Sequence, residues 1–406
     1  MIAWLRTLWA AARDEAALIA RERSILLVLV AVPLLYPAIV GWLYRAEDVR
    51  ERPALLLDLD GSALSRRLAL RLDATPGVAI TGRPATLDEG VAALRDGQAE
   101  LLLVVPADLS RRVRRGEPAR LAVWAGGANL YTWGIAYPDV VAVVGALDAE
   151  LAARAFMAHG LPPAAAAARA APIATGDRNL FHPTGGYGRY FALGIMLIVV
   201  QQAVVVSMAF SAGVRRELGL DRAGRWPVAV GLGRALAHAP FWLGGVAFIL
   251  GAVVPLMGWS GPSAAAMAVP FLGLVAVLVP VALSIATVVR DRLAAFQLLM
   301  FFSAPLFVAS GFTWPASQLP ASVRLVTAVF PATPALRALR VLSMKSSSLA
   351  DVGPELLWLA VQLAAALLVA AVVVHRSWRR LPGFPWGLGP ARPASTPVTP
   401  SPEVQP

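Results

Sequence analysis

The chain has 406 residues, 58% hydrophobic and only 15% charged, with a mean hydropathy of +0.65. Soluble domains run nearer about 45–50% apolar and about 25% charged, so the composition excludes an ordinary water-soluble enzyme and points to an integral membrane protein. The absence of cysteine excludes disulfides, a thiol nucleophile and Cys-based metal sites, and the four histidines (His159, His182, His238, His375) are too scattered for a His-cluster site. Of the 36 basic residues only Lys345 is lysine. A phosphate-cradling P-loop needs a glycine-rich turn ending in Lys-Ser/Thr. Ser343-Met344-Lys345-Ser346 has no such turn before it, so the chain carries no ATPase of that kind and no nucleotide cofactor of its own.

Residues 1–23 read as an amphipathic helix on the cytoplasmic side. Leu5, Leu8, Trp9, Ala12, Ala16 and Ile19 share one face, with Arg6, Arg13 and Arg21 elsewhere, the pattern of a helix resting on membrane lipid. Residues 24–44 carry no formal charge until the next arginine and form span 1, since about 20 apolar residues cross a bilayer. A cleaved signal peptide is the rival reading, but the leading region is too long and too acidic and no clean small-residue cleavage site follows.

Residues 45–189 read as an inserted α/β domain in which 17 arginines nearly balance 16 acids. Strand-like runs at Ala54–Leu59, Val78–Thr81, Glu100–Val105 and Arg120–Trp124 alternate with helical ones at Ala63–Leu72, Thr86–Arg95 and Asp108–Arg115. Tyr131–Ala170 is alanine-rich and helical, with breaks expected at Pro138 and at Gly160–Pro163. The string Leu57-Asp58-Leu59-Asp60-Gly61-Ser62 looks like the nucleophile loop of haloacid-dehalogenase-type phosphatases. That chemistry also needs a lysine and a later acidic pair after a strand; the domain has no lysine, and Asp88-Glu89 opens a helix. The preferred reading is therefore a strand end followed by helix-capping Asp60 and Ser62, and a membrane-tethered phosphatase is a third hypothesis.

Residues 190–213 form span 2, 235–257 span 3, 263–289 span 4, 293–313 span 5 and 355–375 span 6, with a broken, re-entrant outer segment at 314–350 and a Pro-rich disordered tail at 376–406. The predicted fold class is thus a polytopic α-helical membrane protein of six transmembrane helices with an α/β domain between the first two. Six spans place both termini on one side. The short segments there carry 15 basic residues against 4 on the other side, so the positive-inside rule makes the termini cytoplasmic and 45–189 extracytoplasmic. The net charge of +11 is a topology signal and implies no nucleic-acid partner.

Within the spans, Gln201, Gln202, Ser207, Gln297 and Ser303 are candidates to line a path or to join helices. The absence of Asp and Glu inside the predicted spans disfavours a proton-coupled mechanism. After span 2, Arg215-Arg216-Glu217-Leu218-Gly219-Leu220-Asp221-Arg222 reads either as a charged anchor or as a short helix that plugs into a cytoplasmic partner.

The whole arrangement over about residues 1–380 resembles the ABC-2 permeases, the membrane subunits of type V ABC exporters, in the subfamily with a large domain between spans 1 and 2. Asp58-x-Asp60-x-Ser62-x-x-Ser65-Arg66 looks like that subfamily's domain start. Asn179-Leu180-Phe181-His182-Pro183 is similar to its segment before span 2. Ser310-Gly311-Phe312-Thr313-Trp314-Pro315, with Leu319-Pro320 and Phe330-Pro331-Ala332-Thr333-Pro334, resembles its signature after span 5. The family's coupling segment is matched by Arg216, Glu217 and Gly219, while Leu220 and Arg222 depart from it. The resemblance implies export driven by a separate cytoplasmic ATPase that binds ATP and Mg²⁺ and engages Arg215, Arg216, Glu217, Gly219, Asp221 and Arg222. It implies a second permease subunit, identical or paralogous, leaves room for a periplasmic adaptor, and places the chain in a bacterial inner membrane. An amphipathic or apolar substrate suits the uncharged spans. The alternative function is an envelope receptor of the same architecture without an ATPase.

Overall fold

The structure, a computed structural model, describes residues 1–45, 51–126, 130–173, 187–220, 226–258, 263–288, 292–345 and 348–378. The chain divides into two compact units, Met1–Glu47 with Gly185–Pro406, and Asp48–Thr184.

The first unit opens with α1 (Ile2–Arg21) and α2 (Arg23–Leu43). The face of α1 that packs within the unit shares Ala12 and Ile19 with the apolar face read from the sequence. Ala11, Ala12, Glu15, Leu18 and Ile19 are buried, whereas Leu5, Trp9 and Ala16 are exposed. Small residues let backbones approach, and the large Leu5 and Trp9 are left on the outward side. In α2 the amide of Tyr36 donates to the carbonyl of Ala31, a π-turn. Pro37 follows directly; its ring would strike the carbonyl four residues back, and widening the preceding turn relieves the clash.

The second unit is a four-stranded sheet in the order β2-β1-β3-β4, built from β1 (Arg52–Asp58), α3 (Ala63–Asp73), β2 (Val78–Gly82), α4 (Leu87–Arg95), β3 (Leu101–Val105), α5 (Leu109–Arg114), β4 (Ala122–Ala125), α6 (Leu130–Ala158) and α7 (Pro163–Ala170). β1 is parallel to β2 and β3, and β4 is antiparallel to β3. A parallel sheet covered on both faces reads as unbroken apolar runs, as Leu55–Leu57 and Leu101–Val105 do. Ala54, Leu56, Leu101 and Leu103 pack with residues of α3 and α6, while Leu55, Leu57 and Leu102 pack with residues of α4. Pro138 does not break α6, contrary to expectation. The carbonyl its ring would strike belongs to exposed Gly134 and can tilt toward solvent.

The first unit resumes with α8 (Tyr187–Glu217), α9 (Pro227–Leu256), α10 (Ala264–Val288), α11 (Arg292–Ala309), α12 (Ala321–Ala328), α13 (Ala332–Met344) and α14 (Gly353–Trp378). Among the described residues, five helices are long and apolar enough to cross a membrane: α2, α8, α9, α10 and α14; the pair α12 and α13, bent by 94°, raises the number to six if it is one span. The predicted fifth span falls on α11, an 18-residue helix outside that set of five. α8 is the axis of the unit. Its apolar window is 78% buried against 22% in α14, as expected of a helix apolar on all sides, and it packs on α9, α10, α11 and α13. In α9 a second π-turn (Val254 to Ile249) again immediately precedes a proline, Pro255.

Candidate functional site

The last turn of α8 carries the predicted coupling string. Gly219 has a φ of +66°. Its amide donates to Arg216 O at 3.1 Å and that of Leu220 to Arg215 O at 2.8 Å. These are the two bonds of a Schellman motif, which favours glycine at this position. Gly219 therefore stops the helix and fixes which side chains of the last turn face outward.

The two arginines face inward. Arg215, 5% exposed, pairs with Glu15 of α1, and Ser211 donates to the same carboxylate. His238 of α9 sets Nε2 3.7 Å from Glu15 Oε1, and its Nδ1 lies 3.0 Å from the carbonyl of Arg234. Burial pushes the Glu15 carboxyl up, but Arg215, His238 and the Ser211 hydroxyl outweigh it and hold it below the usual carboxylate range. Removing one partner of such a buried pair costs about 3–5 kcal/mol, because the other charge is left stranded. Arg216 donates to Ala286 O at 2.5 Å and Thr287 O at 3.2 Å, satisfying carbonyls that the C-terminus of α10 leaves without helical partners. Arg215, one of the predicted coupling residues, has its guanidinium engaged within the helix bundle. Glu217, Leu218 and Leu220 are exposed, the two leucines at 52% and 48%. Asp221 and Arg222 lie outside the described residues.

α1 and α9 meet closely beside this cluster. A Cβ at Gly233 would sit 2.2 Å from the carbonyl oxygen of Leu8. Glu15 was not among the sequence candidates, because an acid beside Asp14 reads as part of a polar face. The signal was nonetheless present: position 15 lies three or four residues from Ala11, Ala12, Leu18 and Ile19, in the middle of an apolar stripe.

The signature segment folds into a second knot. Phe312, 3% exposed, stacks on Tyr190 of α8 with centroids 4.9 Å apart and lies 5.5 Å from Phe307. Gly194 makes the space, since a Cβ there would lie 2.3 Å from the ring. Arg340 of α13 donates to Gly311 O and Phe312 O at 2.7 Å each and sits 4.8 Å from the Phe312 ring centroid. The Tyr190 hydroxyl donates to Phe312 O, and Ser310 Oγ accepts from the Phe312 amide at 3.2 Å. Pro320 and Pro331 occupy the positions just before α12 and α13, and Pro334 is buried in the first turn of α13. Pro315 is exposed and precedes a short 3₁₀ turn.

The candidate path residues separate. Gln202 donates to Ser303, joining α8 to α11, and Trp242 Nε1 donates to Ser207 at 3.1 Å, joining α9 to α8. These three polar side chains link helices, and Ser207 is fully buried. Gln201 is half-buried and Gln297 exposed. In the second unit, Asp58 Oδ1 accepts from the amides of Asp60 and Gly61, and Oδ2 from Ser65 at 2.7 Å. Ser62 caps α3. Asp60 does not cap that helix; it accepts from Ser110 at the start of α5. Both carboxylates of the phosphatase-like string are thus engaged in shaping loops. Among the described residues, no group of three or more His, Asp or Glu could hold a metal ion.

The long apolar helices of the first unit define a multi-pass helical membrane protein. The family described as ABC-2 family transporter protein matches residues 23–372. The chain belongs to this family, and is accordingly a membrane permease component of an ABC transporter, whose ATPase is a separate subunit. No curated protein and no solved structure matches it.

Proposed function

We propose that the chain is the permease subunit of an ATP-driven exporter in a bacterial inner membrane, moving an amphipathic or apolar substrate out of the cytoplasm or the inner leaflet. In this reading α11 is the fifth of six spans, both termini are cytoplasmic, residues 45–189 stand outside the membrane, and two permease subunits pair around the path. The ATPase engages the surface formed by Glu217, Leu218 and Leu220 and continuing into Asp221 and Arg222. The observation that carries the reading is the capped end of α8: both arginines are drawn inward, while an acid and two leucines are presented outward from the most buried helix of the bundle. A push on that surface is delivered directly to the axis of the unit.

The test is co-purification of the tagged chain with its ATP-binding cassette subunit. Wild type is expected to retain the ATPase, and Glu217→Arg to reduce it at least tenfold with unchanged membrane yield. Full retention by Glu217→Arg refutes the assigned surface. A wild-type chain that retains no ATPase refutes the coupling reading.

A further inference from the structure

The two arginines that end α8 anchor to different neighbours. Arg216 reaches the terminal carbonyls of α10. Arg215 reaches a carboxylate on α1, which also receives Ser211 of α8 and lies beside His238 of α9. We infer that α1 is a working part of the transmission path, with Glu15 as the positioning residue through which the end of α8 moves α9. This rests on the coupling surface proposed above.

Three features support it. The Glu15–Arg215 pair is buried on both sides, with side chains 1% and 6% exposed, so water does not screen it and the two charges move together. α1 and α9 are in close backbone contact, because the Leu8 carbonyl oxygen occupies the space that any side chain at Gly233 would need. Finally, α9 is tied to α8 a second time, by Trp242 and Ser207, about one helical turn from Ser211 toward the N-terminus of α8. Displacing Arg215 therefore pulls on α1, and α1 carries the first turns of α9 with it. Arg216 joins the same helix end to α10, and the response of α10 serves as an internal control.

The experiment uses the full chain with its co-purified ATPase subunit in lipid nanodiscs, followed by hydrogen–deuterium exchange with and without ATP plus vanadate. In wild type, nucleotide is expected to change exchange both in residues 227–234 of α9 and in residues 283–288 of α10. Glu15→Gln is expected to keep the complex and the α10 response while reducing the α9 response at least threefold. A full α9 response in Glu15→Gln overturns the inference, as does loss of both responses together, which marks a purely structural clamp. Should Glu15→Gln fail to assemble, the exchanged pair Glu15→Arg with Arg215→Glu decides. Recovery of assembly and of the α9 response supports the inference; recovery of assembly alone, or no recovery, overturns it. A wild-type complex without an α9 response sinks this inference alone, whereas a wild type that binds no ATPase sinks the coupling reading beneath it.

Discussion

Replacing Arg340 with methionine keeps most of the side chain's apolar volume but removes its charge from the signature turn. Two hydrogen bonds of 2.7 Å to Gly311 O and Phe312 O are lost, together with the cation placed 4.8 Å from the Phe312 centroid and 5.3 Å from that of Tyr190. Charge-assisted bonds contribute about 1.5–3 kcal/mol each when buried, and cation–π contacts about 0.5–2 kcal/mol. Arg340 is only half-buried, and the Phe312 carbonyl retains the Tyr190 hydroxyl, so the seating of the turn is expected to weaken by about 2–4 kcal/mol. At 1.4 kcal/mol per tenfold, local opening rises roughly 30- to 700-fold. The chain has no cysteine of its own, so Ser310→Cys places a single thiol at a position 2% exposed in the native turn. The maleimide labelling rate of that thiol, with and without Arg340→Met, reads the opening directly. Arg340→Lys, which keeps the charge but loses the planar fork, is expected to fall between. A rate change below about threefold for Arg340→Met refutes the account of the knot.

Two further outcomes follow from the same geometry. Gly219→Val forces a β-branched residue to a φ of +66° and is expected to let α8 run on past its cap, lowering ATPase co-purification at least fivefold while membrane insertion, read by protease protection, is unchanged. In the second unit, Glu150 is held down to about 2 by Arg67, Arg71 and Arg154. A depressed folded-state value stabilises above the unfolded carboxylate range and is lost as pH falls toward 2. Amide protection of α3 and α6 in the full chain is therefore expected to decline between about pH 4.5 and 2, and Glu150→Gln to flatten that dependence. An unchanged slope in the variant contradicts the assignment.

The helices and strands were legible where hydrophobic runs are long, because a bilayer or a doubly covered sheet imposes an uninterrupted apolar pattern. Helix ends were less legible. Span 3 was expected to start after Arg234 and span 2 to stop before Arg215, yet both arginines lie inside helices. A charge marks where lipid ends, while the helix stops where its cap falls: at Gly219 for α8, and at Pro227, the first helical position, for α9. The signature segment was visible as a string of Gly, Phe and Pro, but its partners, Arg340 and Tyr190, come from distant helices and leave no local trace. Glu15 shows the same limit more sharply. Its position on the helix was readable, but its partner stands 200 residues away, and no spacing rule connects them.

That separation has a consequence for how the protein is made. At roughly 5–20 residues per second, Glu15 is synthesised about 10–40 s before Arg215, with the whole second unit produced in the interval. α1 must spend that time unpartnered. Its outward face carries Ile2, Leu5 and Trp9 beside Arg6 and Arg13. The ion pair can therefore form only late in synthesis, once α8 has followed α1 and the second unit out of the ribosome.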